Sequence, residues 1–254
     1  MIEKLLELAE EPGLWLPPEP KLRIERRDGF ALVVYGRNAW VHHIRLTGEV
    51  QAAVEEVRAL AAAAGLASVS WWVGELTRPH GLAERLLELG LEPDDPPEEI
   101  SLTLAVPPRG EPALPVRRAA TYDEVLQALE IDWSVFGVPE EERAVRRVET
   151  REAYDTLEAS GRVSCYIADL GGKPAAFGRI VFTPLGGVLM GGATLPEARG
   201  KGAYTSLVHA RWQAAVERGV PRLTVSAGPE SGPILERLGF ERIGRVHLLR
   251  QAVE

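Results

Sequence analysis

The segment Ala193-Thr-Leu-Pro-Glu-Ala-Arg-Gly-Lys-Gly-Ala-Tyr204 constrains the fold more than any other part of the chain. It closes a strand-like apolar stretch, turns through two glycines and enters an amphipathic helical pattern. Such a corner is the layout of a phosphate cradle. Glycines at 200 and 202 remove side chains that would hold a ligand away, so backbone N–H groups can face an anion. The helix start behind them adds unpaired amides and the positive end of its dipole, and Arg199 and Lys201 add full charge. The spacing is not that of a Walker loop, nor of the dinucleotide fingerprint, which needs a third glycine and a later acid for the ribose.

With 254 residues, 45% apolar and 26% charged, the chain has material for one or two ordinary cores. A boundary is expected over 107–115, where four prolines and a glycine interrupt both helix and central strand. This divides the chain into 1–106 and 116–254. After the boundary the pattern predicts a strand at 116–119 and a helix from the capping box Thr121-Tyr-Asp-Glu124 to about Trp133. A second helix is predicted from Pro139 to about Ala159, then strands at 163–169, 175–182 and 188–194, with Gly171-Gly172 as a hairpin turn. The two-glycine corner leads into a helix ending at Gly219, followed by a strand at 222–227 and the segment Ile234-Leu-Glu-Arg-Leu-Gly-Phe240.

Pro196-Glu-Ala-Arg-Gly-Lys-Gly-Ala-Tyr204 resembles the pyrophosphate loop of the GNAT superfamily of N-acetyltransferases, Arg/Gln-x-x-Gly-x-Gly/Ala with an upstream proline. Ile234 to Phe240 resembles that superfamily's closing Leu-Gly-Phe segment, so the likeness covers roughly the C-terminal 140 residues. It implies an α/β fold, an α+β sandwich with a mixed sheet flanked by helices. It also implies acetyl-CoA as co-substrate, held by Ala193, Thr194, Leu195, Arg199, Gly200, Lys201, Gly202, Ala203 and Tyr204, and acetyl transfer to the amine of a small molecule.

The first half carries a worn copy of the same pattern. Aligning Gly65 with Gly219, an offset of 154, places Arg45 on Arg199 and Gly48 on Gly202. Leu86-Leu-Glu-Leu-Gly-Leu91 answers the Leu-Gly-Phe segment at an offset of 239 − 90 = 149, so the first half holds five extra residues around Glu75 to Pro79. Two tandem copies are therefore expected. Leu46 and Glu49 add bulk and negative charge where the second half has Gly200 and Ala203, so the first copy is expected to have lost its ligand. Trp71 and Trp72, adjacent on a predicted strand, face opposite ways; one of them either plugs the vestigial slot or packs in the core.

Chemistry is less legible than binding. The superfamily's tyrosine acid falls on Leu235, a frequent asparagine falls on Gly228, and the stretch Val188 to Ala193 carries no acid. Glu230, Ser231 and Glu152 are the polar candidates for catalysis, with Glu149 beside them. Tyr204 replaces the small residue usual at the end of the loop. Ser231 is equally a helix N-cap and Glu149 and Glu152 equally a solvated helix face. Trp133 and Phe136 lie where the superfamily shapes its acceptor pocket. Two function classes stay open: an acetyl-CoA-dependent N-acetyltransferase, and a CoA-binding sensor or scaffold without turnover. The net charge of −8 argues against nucleic acid and anionic membranes and favours an amine. No apolar run approaches membrane length, the N-terminus has no signal-peptide pattern, and the single Cys165 allows no internal disulfide, so a cytoplasmic monomer or homodimer is expected. The five histidines show no metal-ligand spacing, and no metal is expected.

Overall fold

The computed structural model describes residues 2–253. In the first half, α1 (Ile2–Glu10) and a 3-10 turn at Pro12–Trp15 precede β1 (Leu22–Arg27), β2 (Phe30–Tyr35) and β3 (Asn38–His42). Then come α2 (Val50–Ala63), β4 (Ser68–Val73), α3 (Leu82–Glu88) and β5 (Glu92–Leu104). The second half comprises β6 (Val116–Arg118), α4 (Tyr122–Val135), α5 (Glu140–Ser160), β7 (Val163–Leu170), β8 (Lys173–Thr183), β9 (Gly186–Thr194), α6 (Ala203–Glu217), β10 (Leu223–Ala227), α7 (Gly232–Arg237) and β11 (Glu241–Ala252). Local chemistry accounts for several boundaries. Thr121 and Glu124 form the reciprocal capping box of α4, Pro139 N-caps α5 ahead of three glutamates, and Gly161 ends α5 in the left-handed region.

All eleven strands form one sheet, in the order β1-β2-β3-β4-β11-β5-β10-β9-β8-β7-β6. Antiparallel strands lead to a parallel pair in each half, β1 to β3 before the pair β3 with β4, and β6 to β9 before the pair β9 with β10. Their last strands are exchanged: β5 of the first half pairs with β10, β11 of the second half pairs with β4, and β5 and β11 pair with each other. β5 contains Pro93, Pro96 and Pro97, residues that argue against a central strand. They are tolerated because β10 pairs only with residues 100–104, leaving one side of the proline stretch without a ladder.

Helices α6 and α7 cover one face of the second half through Leu207 and Leu235, packed with Phe240 on Leu102, Ile180 and Val225. α4 covers the opposite face through Ala128 and Ile131, against Ile167 and Phe177. The first half has α2 and α3 over a core around Leu32, Val57, Trp71 and Leu86. Where the second half has α4 and α5, the first has only α1 and the 3-10 turn, and α1 reaches across to pack Leu5 and Leu8 against Val188. Among the described residues, no helix is long and apolar enough to cross a membrane.

Glu10 fastens the end of α1. Its carboxylate accepts the N–H groups of Glu75 at 3.0 Å and Leu76 at 3.1 Å, and Gly74 lacks the Cβ that would collide with it. Burial pushes its pKa up to about 7, against the pull of the two backbone donors. The folded state therefore favours the protonated acid. That stability is fully present below the ordinary carboxylate value and is lost as pH rises through about 7. Thermal melts at constant ionic strength should show Tm falling by ~5 °C from about pH 5 to about pH 8, at ~2–4 °C per kcal/mol, with Glu10→Gln flattening that slope.

Candidate active site

The two-glycine corner folds as the sequence implies. Gly200 and Gly202 have φ of 73° and 80°, and Gly202 is the N-cap of α6. Arg199 and Lys201 are exposed, while their N–H groups turn back to Pro196 O and Ala198 O at 3.2 and 3.3 Å. The first-turn amides of α6 have no intrahelical acceptor and face outward from the helix start. A Cβ at Gly200 would meet open space, whereas one at Gly202 would lie 2.7 Å from the Ala113 Cβ. Gly202 thus has a second duty, since the 107–115 connection crosses it. Ser206 Oγ accepts the N–H groups of Ala113 and Leu114, both at 3.0 Å, and donates to Gly202 O.

In front of this corner the sheet opens. β9 and β10 pair only at Leu223 with Gly187 and Thr224 with Val188, and then separate. Beyond the split β9 carries a bulge: Gly178 pairs with Gly192 and Ile180 with Leu189, so Met190 and Gly191 oppose Arg179 alone. Arg179 Nε donates to Met190 O at 3.1 Å. Ala193 is buried against the α4 face, Thr194 and Leu195 are half-buried, and Ala203 is buried under α6. Tyr204 is half-buried, with Arg211 over its ring at 5.9 Å, and Arg211 and Ser231 both act on its hydroxyl. Burial raises the Tyr204 pKa and the neighbouring Arg211 charge lowers it, with a net rise.

Ser231 heads α7 but makes no side-chain capping bond, and Glu230 beside it is exposed. Leu235 is fully buried in the core. Glu152 is exposed and lies off the cavity described next, whereas Glu149, one turn away, lines it.

That cavity, of about 550 Å³, lies between α4, α5 and strands β7 to β9, and Gly191 of the bulge lines it. The first half contributes Glu19, Lys21 and the β2–β3 hairpin. Phe136 is exposed and Trp133 is buried with its edge on the cavity. Arg179 is the central cation. Burial opposes its charge, but the Tyr35 hydroxyl, Cys165 and Glu19 hold its pKa above the ordinary arginine value. Burial raises the pKa of Glu19, against Lys21, a Tyr35 hydrogen bond and Arg179. It raises that of Asp132 against Arg179 and Arg146. Cys165 is buried, its thiol pushed up to about 11, which suits a small apolar residue rather than a nucleophile. The sequence reading missed Glu19, Asp132 and Arg179. Its one local signal was a charge in the middle of the apolar strand Ala175 to Val181.

Residues 125–240 match the sequence model of the acetyltransferase (GNAT) family. They form a GNAT-like domain. A GCN5-related N-acetyltransferase from Kribbella flavida superposes with a TM-score of 0.66 at 17% identity, covering 98% of this chain and 95% of that one. A tandem GNAT protein from the clavulanic acid biosynthesis pathway gives 0.62 at 17% identity over 93% and 85%. A GCN5-related N-acetyltransferase from Sphaerobacter thermophilus gives 0.59 at 15% over 100% and 92%. These likenesses establish the fold along the whole chain, including the tandem arrangement. No curated protein sequence matches the chain.

The degenerate first copy differs from this domain at the corresponding corner. β3 and β4 also pair at only two positions, Trp40 with Ser70 and Val41 with Trp71, and then part. Here the gap is closed by protein. Arg45 forms a bridge with Arg78, the Arg45 N–H goes to Gly29 O, and the Leu46 N–H goes to Arg78 O. The Arg45 guanidinium is paired with Glu11 at 3.1 Å, and Glu49 sits at the N-cap of α2. The sealing segment is the five-residue excess read around Glu75 to Pro79. Neither tryptophan is the seal. Trp71 is fully buried in the first core, its Nε1–H donating to Gln251 at 2.8 Å, and Trp72 is half-buried with its ring edge-on to His42.

Gly200 and Gly202 share the left-handed backbone but not the surroundings. Gly200→Ala should cost ~1 kcal/mol from backbone strain alone, and Gly202→Ala measurably more, because its Cβ also meets Ala113. Denaturant unfolding of both variants checks the order.

Proposed function

We propose that the GNAT domain transfers the acetyl group of acetyl-CoA to the amine of a small molecule held in the cavity. The observation that carries this reading is the parting of β9 and β10 in front of a helix start whose amides and Gly200 remain open. The residues present fit the ligand. Backbone N–H groups of the corner, with Arg199 and Lys201, suit a pyrophosphate, and the split provides a slot for the extended arm. Acetyl-CoA when bound supplies a thioester, whose C–S bond breaks as the C–N bond to the acceptor forms, leaving the free thiol.

The chain's own groups supply the rest. The β9 bulge at Met190 and Gly191 interrupts the ladder where the cavity meets the slot, freeing backbone polarity for the carbonyl. Asp132 and Glu19, raised towards neutrality by burial, take the proton the acceptor ammonium must lose before attack. Tyr204, set between α6 and Ser231 of α7, holds the proton for the departing sulfur where Leu235 has no hydroxyl to give.

Thermal shift with CoA and acetyl-CoA tests the binding part. Ligand at 100 times its Kd should stabilise by ~2.7 kcal/mol, and Arg199→Glu with Lys201→Glu should weaken binding at least ~10-fold. Free-thiol release with a panel of amines tests the chemistry. Tyr204→Phe should lower kcat ~100-fold at unchanged CoA stabilisation. CoA stabilisation without thiol release from any amine would leave a binding module and overturn the transferase reading.

A further inference from the structure

Among the charged groups that line the cavity between the halves, three do not pair with one another. Arg179 feels the charge of Glu19, and Asp132 feels that of Arg179. Yet among the described residues no ion pair within 4.0 Å joins Arg179 to either carboxyl. Glu19 is 8% exposed and its Oε2 has no hydrogen-bond partner. Arg179 Nε donates to the Met190 carbonyl, which cancels no charge. Leaving a guanidinium and two carboxyls apart in a partly desolvated site is costly, and the cost falls when a molecule brings the matching charges. A group that spans such a gap must be negative at one end and positive at the other. Part of the remaining wall is apolar: Leu129, Val145 and Leu157 line the same space between charged residues such as Arg118, Arg146 and Glu158, and Val145 is 50% exposed.

We infer that the cavity takes an α-amino acid with a bulky apolar side chain, its carboxylate on Arg179, its ammonium between Asp132 and Glu19, and its side chain against Leu129, Val145 and Leu157. This assignment rests on reading the cavity as the acceptor site. A carboxylate matches the planar guanidinium in a way a neutral amine cannot. The ammonium then lies beside the acids that receive its proton, in a cavity that Gly191 of the bulge also lines. Glu19 comes from the first half and Asp132 and Arg179 from the second, so the degenerate copy completes the site it no longer duplicates.

The test uses the full chain without acetyl-CoA. Calorimetric titration compares L-leucine, L-phenylalanine and L-tryptophan with their amides, which lack the carboxylate, and their deaminated acids, which lack the amine. The zwitterions should bind at least ~10-fold more tightly than either truncated series, the loss expected when a buried charge is left unpaired. Arg179→Lys, which keeps the charge and a donor for Met190 O but loses the fork, should reduce the preference for acid over amide while CoA stabilisation stays at the wild-type value. Amides binding as tightly as acids, an unchanged preference in Arg179→Lys, or binding of none of the series would each overturn the inference. Zwitterion binding in a protein that CoA does not stabilise would keep this site and remove the transferase reading instead.

Discussion

Two rungs of parallel ladder hold β9 to β10, and what the second half can do depends on the strands leaving each other after them. A twisted sheet that stays closed offers no backbone to a ligand, because every N–H and C=O is spent on a neighbour. Once the pair splits, polar groups along both strands need another partner, and the bulge at Met190 and Gly191 turns more of them out of register. The glycine corner then adds a helix start at the far end of the same opening. Slot, bulge and corner are one device, built from an incomplete sheet.

The first half runs the same experiment with the opposite outcome. Its strands part after two rungs as well, but its own chain fills the gap. Arg45, the counterpart of Arg199, is neutralised by Glu11, and two amides of its corner are spent on Gly29 and Arg78. This half has α1 and a short turn in place of two covering helices. Its hairpin and Glu19 line the neighbouring half's cavity.

Much of this was legible wherever the physics is local. The corner showed itself because positive φ demands glycine, α4 because Thr121 and Glu124 cap each other, and the second copy because Arg45 and Gly48 stand at one offset from Arg199 and Gly202. The five-residue excess around Glu75 was visible as an offset, though not its role as the seal. β5 was hidden by prolines that only an unpaired flank makes acceptable, and the strand exchange joins residues more than a hundred positions apart. Glu19 and Asp132 look like ordinary surface acids in sequence. It is the tertiary enclosure around Arg179 that gives them their character.

Exchange of the last strands has a consequence for how such a chain can change over time. A ligand site can decay by single substitutions. The first copy itself cannot be discarded, because β10 would lose β5, and β11 would lose both β4 and β5. Duplication followed by exchange works as a ratchet. It frees one copy from catalysis and at the same time makes it indispensable, which leaves its loops available to be remodelled around the other copy's substrate.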